Sequence, residues 1–159
     1  MQTPYALFMT WTVYGTHLPG DASGWRHRTH GPKLPQPMLA AWHRNRLKHE
    51  VNLLDEEMRN VVNQALCDII EFRQWVLWAV AVRSNHVHVV LSAPRYTPRL
   101  VRDQLKAKAT LELRKKYVIW MERPVWTAGG DIQVLDSESD VEACARYVDV
   151  AQDRMGRKP

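Results

Sequence analysis

The feature that most constrains the fold is a pair of apolar stretches separated by only three residues. Val76–Val82 (VLWAVAV) and His86–Ala93 (HVHVVLSA) are rich in β-branched side chains, which is typical of buried strands. The link between them, Arg83-Ser84-Asn85, is long enough only for a tight turn. The pattern therefore predicts a β-hairpin in the middle of the chain.

Two further stretches predict strands, and one predicts a long loop. Tyr5–Tyr14 is rich in aromatic and β-branched residues, and Asp131–Leu135 (DIQVL) is a shorter segment of the same kind. Residues 15–37 are dense in glycine and proline, which predicts a loop with no regular structure. Long ordered loops in compact domains are often functional.

Three segments show helical periodicity. The first lies within Met38–Trp75 and is best defined from Asp55, a candidate N-cap. Pro98–Tyr117 follows a Thr97 cap, and the last helix is predicted to run from Ser139, in a capping box with Glu142, to about Asp153. The first helix is expected to bury one apolar face, made up of Met58, Val61, Val62, Ala65, Ile69 and Phe72.

The order strand, helix, strand, strand, helix, strand, helix predicts an α+β fold. Its first six elements match the split βαβ, or ferredoxin-like, arrangement: an antiparallel sheet with helices on one face, here followed by a C-terminal helix. The chain has 159 residues, enough to bury a core without a disulfide or metal staple. No linker or repeat divides it, so residues 1–159 are expected to form one domain.

Composition favours a protein of the cytoplasm with a polyanionic partner. The net charge is +5 and the isoelectric point is near 9.4, which suits binding to nucleic acid. Cys67 and Cys144 form no close-spaced motif and are expected to be reduced thiols. No apolar run is long enough for a membrane span, and the N-terminus has no signal-peptide pattern.

The sequence Asn85-His86-Val87-His88 carries the most specific chemistry. Side chains alternate along a strand, so His86 and His88 are expected to project from one face, where both can bind one divalent ion. Two imidazoles are too few for a tight site, so a third ligand must come from elsewhere. The alternative is that they are two partly exposed histidines without a metal.

Several motifs in order resemble the single-tyrosine HUH transposases, named for histidine, hydrophobic residue, histidine. The nearest groups are the REP-associated tyrosine transposases and the small insertion-sequence transposases that act on single-stranded DNA. The resemblance covers nearly the whole chain and rests on NHVHVVL, on Trp126 with Gly129-Gly130, on Tyr147-Val148 with Gln152, and on the N-terminal pattern Thr12, Tyr14-Gly15-Thr16-His17-Leu18-Pro19-Gly20-Asp21, Gly24-Trp25.

This resemblance implies a reaction. Tyr147 would attack a DNA phosphate and form a 5′-phosphotyrosine, with a free 3′-hydroxyl that can reverse the step. The metal would be Mg²⁺ or Mn²⁺, bound by His86 and His88, and the substrate would be single-stranded or hairpin DNA. A homodimer is expected, although relatives differ in whether the tyrosine acts in its own subunit or in the partner.

The third metal ligand implied by the resemblance is Gln152, but its position departs from the family pattern. The family's polar ligand lies four residues after the tyrosine, where this chain has Ala151. Gln152 comes one residue later, about 100° further around the helix. Asp149 and Asp153 are the alternatives.

The predicted helix after the HUH strand is strongly basic. Arg95, Arg99, Arg102 and Lys106 are expected to contact the DNA backbone, since the last three share a helical face. Trp126 is expected to stack on an exposed base. A solvated helix face is the simpler interpretation of the charges.

Two other functions fit the sequence less well. An HUH replication initiator or relaxase shares the chemistry but usually has further domains. A catalytically silent or domesticated ferredoxin-like DNA-binding protein would need neither the histidines nor Tyr147. Only a catalytic protein would form a covalent adduct with DNA.

Overall fold

The structure is a computed structural model that describes residues 5–27 and 29–155, with side chains as far as residue 149. Its sequence of elements is the one predicted, with three additions near the N-terminus and a 3-10 turn after the basic helix. In chain order they are β1 (Ala6–Thr12), β2 (Trp25–His27), β3 (Gly31–Lys33), α1 (Pro37–Asn45), α2 (Glu56–Phe72), β4 (Val76–Val82), β5 (His86–Ser92), α3 (Pro98–Lys116), a 3-10 turn (Val118–Trp120), β6 (Asp131–Leu135) and α4 (Glu138–Met155).

The main sheet has four antiparallel strands in the order β4-β5-β1-β6. The hairpin strands β4 and β5 pair directly, and β5 pairs with β1 in a register that sets Thr10 opposite His88 and Thr12 opposite His86. This order, with a helix after the first and third strands of the sheet, is the split βαβ arrangement. The predicted α+β, ferredoxin-like fold is confirmed.

The two faces of the sheet are covered by different helices. Side chains of β1 and β5 that point to one face form the main core with α2 and α3. The opposite face packs against α4 through a smaller apolar cluster around Val90, Val141 and Val148. The main core includes Leu7, Met9, Trp11, Val87, Val89, Leu91, Val62, Leu66, Leu105 and Leu113.

Three local predictions were wrong. Residues 15–37 are not wholly irregular, because they contain the β2–β3 hairpin. Phe72 is 77% exposed: it lies about 200° around the helix from buried Ile70, so it points away from the core. The cap of α4 is Ser137, whose hydroxyl accepts from the Asp140 amide (3.2 Å), rather than the predicted Ser139. The Asp55 cap of α2 is confirmed, since its carboxylate accepts from the Met58 amide (2.8 Å).

Candidate active site

The two histidines of β5 lie side by side on the face that α4 covers. Strand alternation gives His86 and His88 the same orientation, and their ring centroids are 4.8 Å apart. His86 is half-buried, whereas His88 is only 9% exposed. A strand in the middle of a sheet holds such a pair more rigidly than a loop would.

A hydrogen bond orients each ring through its Nδ1 atom. Nδ1 of His88 lies 2.7 Å from the Thr10 hydroxyl oxygen, on the neighbouring strand β1. Nδ1 of His86 donates to the side-chain oxygen of Asn85 (2.6 Å). The Asn85 oxygen can only accept, so it places the proton of His86 on Nδ1, and the Thr10 hydroxyl can accept from His88 in the same way. Such partners on metal-binding histidines direct Nε2 to the ion. The arrangement therefore fits a metal bound through the two Nε2 atoms.

His88 is held in its neutral form. Burial, assisted by the nearby His86 and by the charge of Arg83, lowers the pKa of His88 from 6.5 to about 4. Neutral imidazole is the form that binds a metal, so this environment keeps the ring ready at physiological pH.

Tyr147 extends from α4 over the same site. Its ring centroid lies 6.4 Å from that of His88 and 6.3 Å from that of Phe8. The side chain is 53% exposed, so one side of the ring lies against Phe8 and His88 while the rest is open to solvent. Tyr147 comes 59 residues after His88 in the sequence. The fold therefore brings the two histidines and the tyrosine of one chain together.

The third metal ligand stays a prediction. No third histidine, cysteine, aspartate or glutamate joins the pair in the part of the chain that the structure describes. The alternative Asp149 is exposed and forms no such group with the two histidines. Gln152 and Asp153 lie outside the described side chains, so the choice between them stays a prediction.

Comparison with known proteins identifies the family. The family described as "Transposase IS200 like" matches residues 44–150, which is more than half of the chain and includes both histidines and Tyr147. This chain belongs to the IS200-like transposase family. No curated protein sequence matches it.

Two solved structures share the fold of this IS200-like transposase. One is a candidate transposase from Deinococcus radiodurans R1, 15% identical, with a TM-score of 0.53 over 94% of this chain and 92% of that one. The other is a REP-associated tyrosine transposase bound to a REP hairpin, 10% identical, with a TM-score of 0.56 over 98% of this chain and 70% of that one.

The predicted DNA-contacting side chains of this transposase divide into two groups. Arg95 and Arg99 are exposed. Arg102 donates instead to the Gly130 carbonyl (3.1 Å), and Lys106 donates to the carbonyls of Thr127 (2.9 Å) and Gly129 (2.7 Å). These bonds join α3 to the turn before β6, and burial lowers the pKa of Lys106. Two of the three N–H donors of Lys106 thus hold this turn, and a contact between Lys106 and DNA stays a prediction.

The prediction that Trp126 stacks on an exposed base is wrong. It is 7% exposed, packs edge-on against Trp11 with ring centroids 6.1 Å apart, and donates its indole N–H to the Lys106 carbonyl (3.3 Å). A ring buried in this way has no open face for a base. Trp126 is a core residue, whereas the half-buried Trp25 lines a cleft next to Thr10.

Sequence reasoning missed the residues that orient the site. Asn85 could have been noticed, because it directly precedes the motif. Thr10 could not, since it is 78 residues from His88 and only strand pairing brings the two together. No helix in the described part of the chain is long and apolar enough to cross a membrane.

Proposed function

We propose that this transposase cleaves and rejoins single-stranded DNA, with Tyr147 as the nucleophile and His86 and His88 as metal ligands. The observation that carries the proposal is the 6.4 Å separation of the Tyr147 and His88 rings in a chain of this family. Because that contact is made within one chain, it favours attack by the tyrosine of the same subunit. A homodimer remains a prediction.

In the first step the Tyr147 phenol oxygen bonds to phosphorus while the bond from phosphorus to the 3′ oxygen breaks. The phenol proton passes to solvent, and the departing 3′ oxygen gains a proton. The products are a 5′-phosphotyrosine and a free 3′-hydroxyl. The reverse attack by a 3′-hydroxyl rejoins the strand and releases Tyr147, so the phosphodiester energy is conserved.

Each described side chain has a separate part in this proposal. Phe8 supports the Tyr147 ring, and Thr10 and Asn85 orient the two imidazoles through their Nδ1 atoms. When bound there, Mg²⁺ or Mn²⁺ supplies positive charge to a phosphate oxygen and orients the scissile bond. The half-exposed position of Tyr147 leaves a phosphate room to approach.

The substrate is proposed to be a DNA hairpin with single-stranded flanks. The hairpin bound to the REP-associated relative supports this choice, as does the net charge of +5. Exposed Arg95 and Arg99 are proposed to contact the DNA backbone.

A covalent-adduct experiment tests the chemistry. Labelled hairpin DNA and Mn²⁺ are incubated with protein and separated on a denaturing gel. Wild type is expected to give a shifted band, and Tyr147→Phe and His88→Ala are expected to give none. Tyr5→Phe is the matched control, because it removes another exposed phenol (43% exposed, against 53% for Tyr147) far along the chain and should leave the band unchanged.

The outcomes separate the candidate functions. A band that persists in Tyr147→Phe would show that another residue is the nucleophile. Binding of DNA without any adduct in wild type would instead favour the catalytically silent DNA-binding protein.

A further inference from the structure

A polar cleft of about 690 Å³ lies at the start of β6. It is formed where the β2–β3 hairpin faces the first turns of α3 and the turn before β6. We call it the arginine cleft and define it by Arg26, Arg99, Arg102 and the turn Ala128-Gly129-Gly130.

The charges around the arginine cleft are unbalanced. Three guanidinium groups line it, whereas Asp131 is its only carboxylate among the described residues. Arg26 and Arg99 are exposed, and neither has an ion-pair partner in the described part of the chain. Arg102 is engaged by Asp103 and by the Gly130 carbonyl. Unpaired arginines that converge from two separate elements are typical of a site for phosphate.

The arginine cleft is linked to the neighbours of the histidine pair by a second cleft. A second cleft, of about 320 Å³, shares four lining residues with it and extends to Thr10 and Thr12. Thr10 is hydrogen-bonded to His88, and Thr12 lies opposite His86 in the strand register. A flexible strand can therefore pass from the histidines, around the start of β6, to Arg99.

Gly129 and Gly130 keep this path free of obstructing side chains. Gly130 has φ +129, and a Cβ there would lie 2.9 Å from the Thr10 carbonyl oxygen, so only glycine allows the turn to approach β1 this closely. Gly129 has φ +79 and faces open space, so no side chain obstructs the cleft at that point.

We propose that the arginine cleft binds backbone phosphates of the single DNA strand next to the phosphate held at His86 and His88. Arg26 and Arg99 are the main contacts, and the β2–β3 hairpin is thereby a DNA-binding element. The inference rests on the proposed function for the identity of the strand, but its residues and its contribution to binding are separate from the chemistry.

The test measures binding of a fluorescent dT12 oligonucleotide by anisotropy, in EDTA, over a series of salt concentrations. The Arg26→Gln/Arg99→Gln variant is compared with Lys115→Gln/Lys116→Gln. The control removes two positive charges as well, from exposed positions at the other end of α3, about 25 Å from Arg99. Thermal unfolding of each variant checks that the fold is retained.

Loss of two phosphate contacts should reduce the slope of log K against log salt by about 1.4, since each contact on a single strand contributes about 0.7. The affinity of the cleft variant should fall at least about tenfold at low salt, and the control should keep the wild-type slope. An unchanged slope in the cleft variant, an equal loss in the control, or no binding of dT12 by wild type would each overturn the inference.

The adduct experiment separates this inference from the proposed function. If the adduct forms but the cleft variant binds dT12 normally, the cleft assignment fails and the chemistry stands. If no adduct forms but the cleft variant loses the expected slope, the chemistry fails and the cleft remains a DNA-binding site.

Discussion

The two faces of the sheet are built from the same strands but serve different purposes. On the α2/α3 face, β1 and β5 contribute large apolar side chains such as Trp11, Met9 and Leu91, all almost fully buried. On the α4 face the alternate positions hold Phe8, Thr10 and the two histidines, and the covering helix leaves Tyr147 half-open.

This difference shows how one hairpin can support both a core and a site. Because side chains alternate, a residue that faces the site can have both of its neighbours fixed in the core. His88 lies between Val87 and Val89, both fully buried. The core face therefore holds the imidazoles in place without contacting them, and the two faces should respond differently to substitution.

The largest effect on stability is expected from the core face. Leu105→Ala should lower the free energy of unfolding by about 2–5 kcal/mol, because it removes a fully buried side chain and leaves a cavity. Leu111→Ala, on the same helix but 50% exposed, should cost less than about 1 kcal/mol. Urea unfolding measures both. Equal losses would show that α3 is not packed on the sheet as described.

The site face should make stability depend on pH. His88 has a lowered pKa, so between pH 6.5 and 4 the unfolded chain binds a proton that the folded chain does not. Stability should fall over this window as pH is lowered, and the difference between a pKa of 6.5 and one of about 4 corresponds to about 3 kcal/mol.

Urea unfolding in EDTA at several pH values tests this contribution. The His88→Gln variant lacks the titrating ring, so its curve of stability against pH should be flatter than that of wild type over the same window. Parallel curves for the two proteins would contradict a buried neutral His88.

The smallest expected effect concerns the orientation of His88. Thr10→Val keeps the shape of the side chain but removes the hydroxyl that bonds Nδ1. If His88 binds metal, Mn²⁺ affinity measured by calorimetry should fall about 10–100-fold, and Thr10→Ser should restore it. Thr12→Val is the control on the same strand and face, since its hydroxyl bonds Thr127 instead. Equal affinities for Thr10→Val and wild type would refute a role for this bond.

The elements of the fold followed closely from the sequence, and the errors occurred where the pattern is short. The hairpin strands, the strand Asp131–Leu135 and the helix from Pro98 appear where periodicity predicts them. The β2–β3 hairpin was missed because each strand has only three residues and lies among glycines and prolines, where no alternation is visible.

The individual site residues were less predictable than the motif that contains them. The assignments of Arg102, Lys106 and Trp126 to DNA contacts relied on charge and residue type, which do not reveal that these side chains bond to a turn or lie in the core. Arg26 was not singled out, because the sequence does not show that it lies opposite Arg99 across a cleft.

The sequence by itself determined the strand and helix order, the common face of His86 and His88, and the family, because these depend on local periodicity and ordered motifs. Only the tertiary structure decided that Thr10 orients His88, that Tyr147 lies over the histidines of its own chain, and that two unpaired arginines face one cleft. Those relations join residues far apart in sequence. They arise from strand register and helix packing, which are properties of the folded core as a whole.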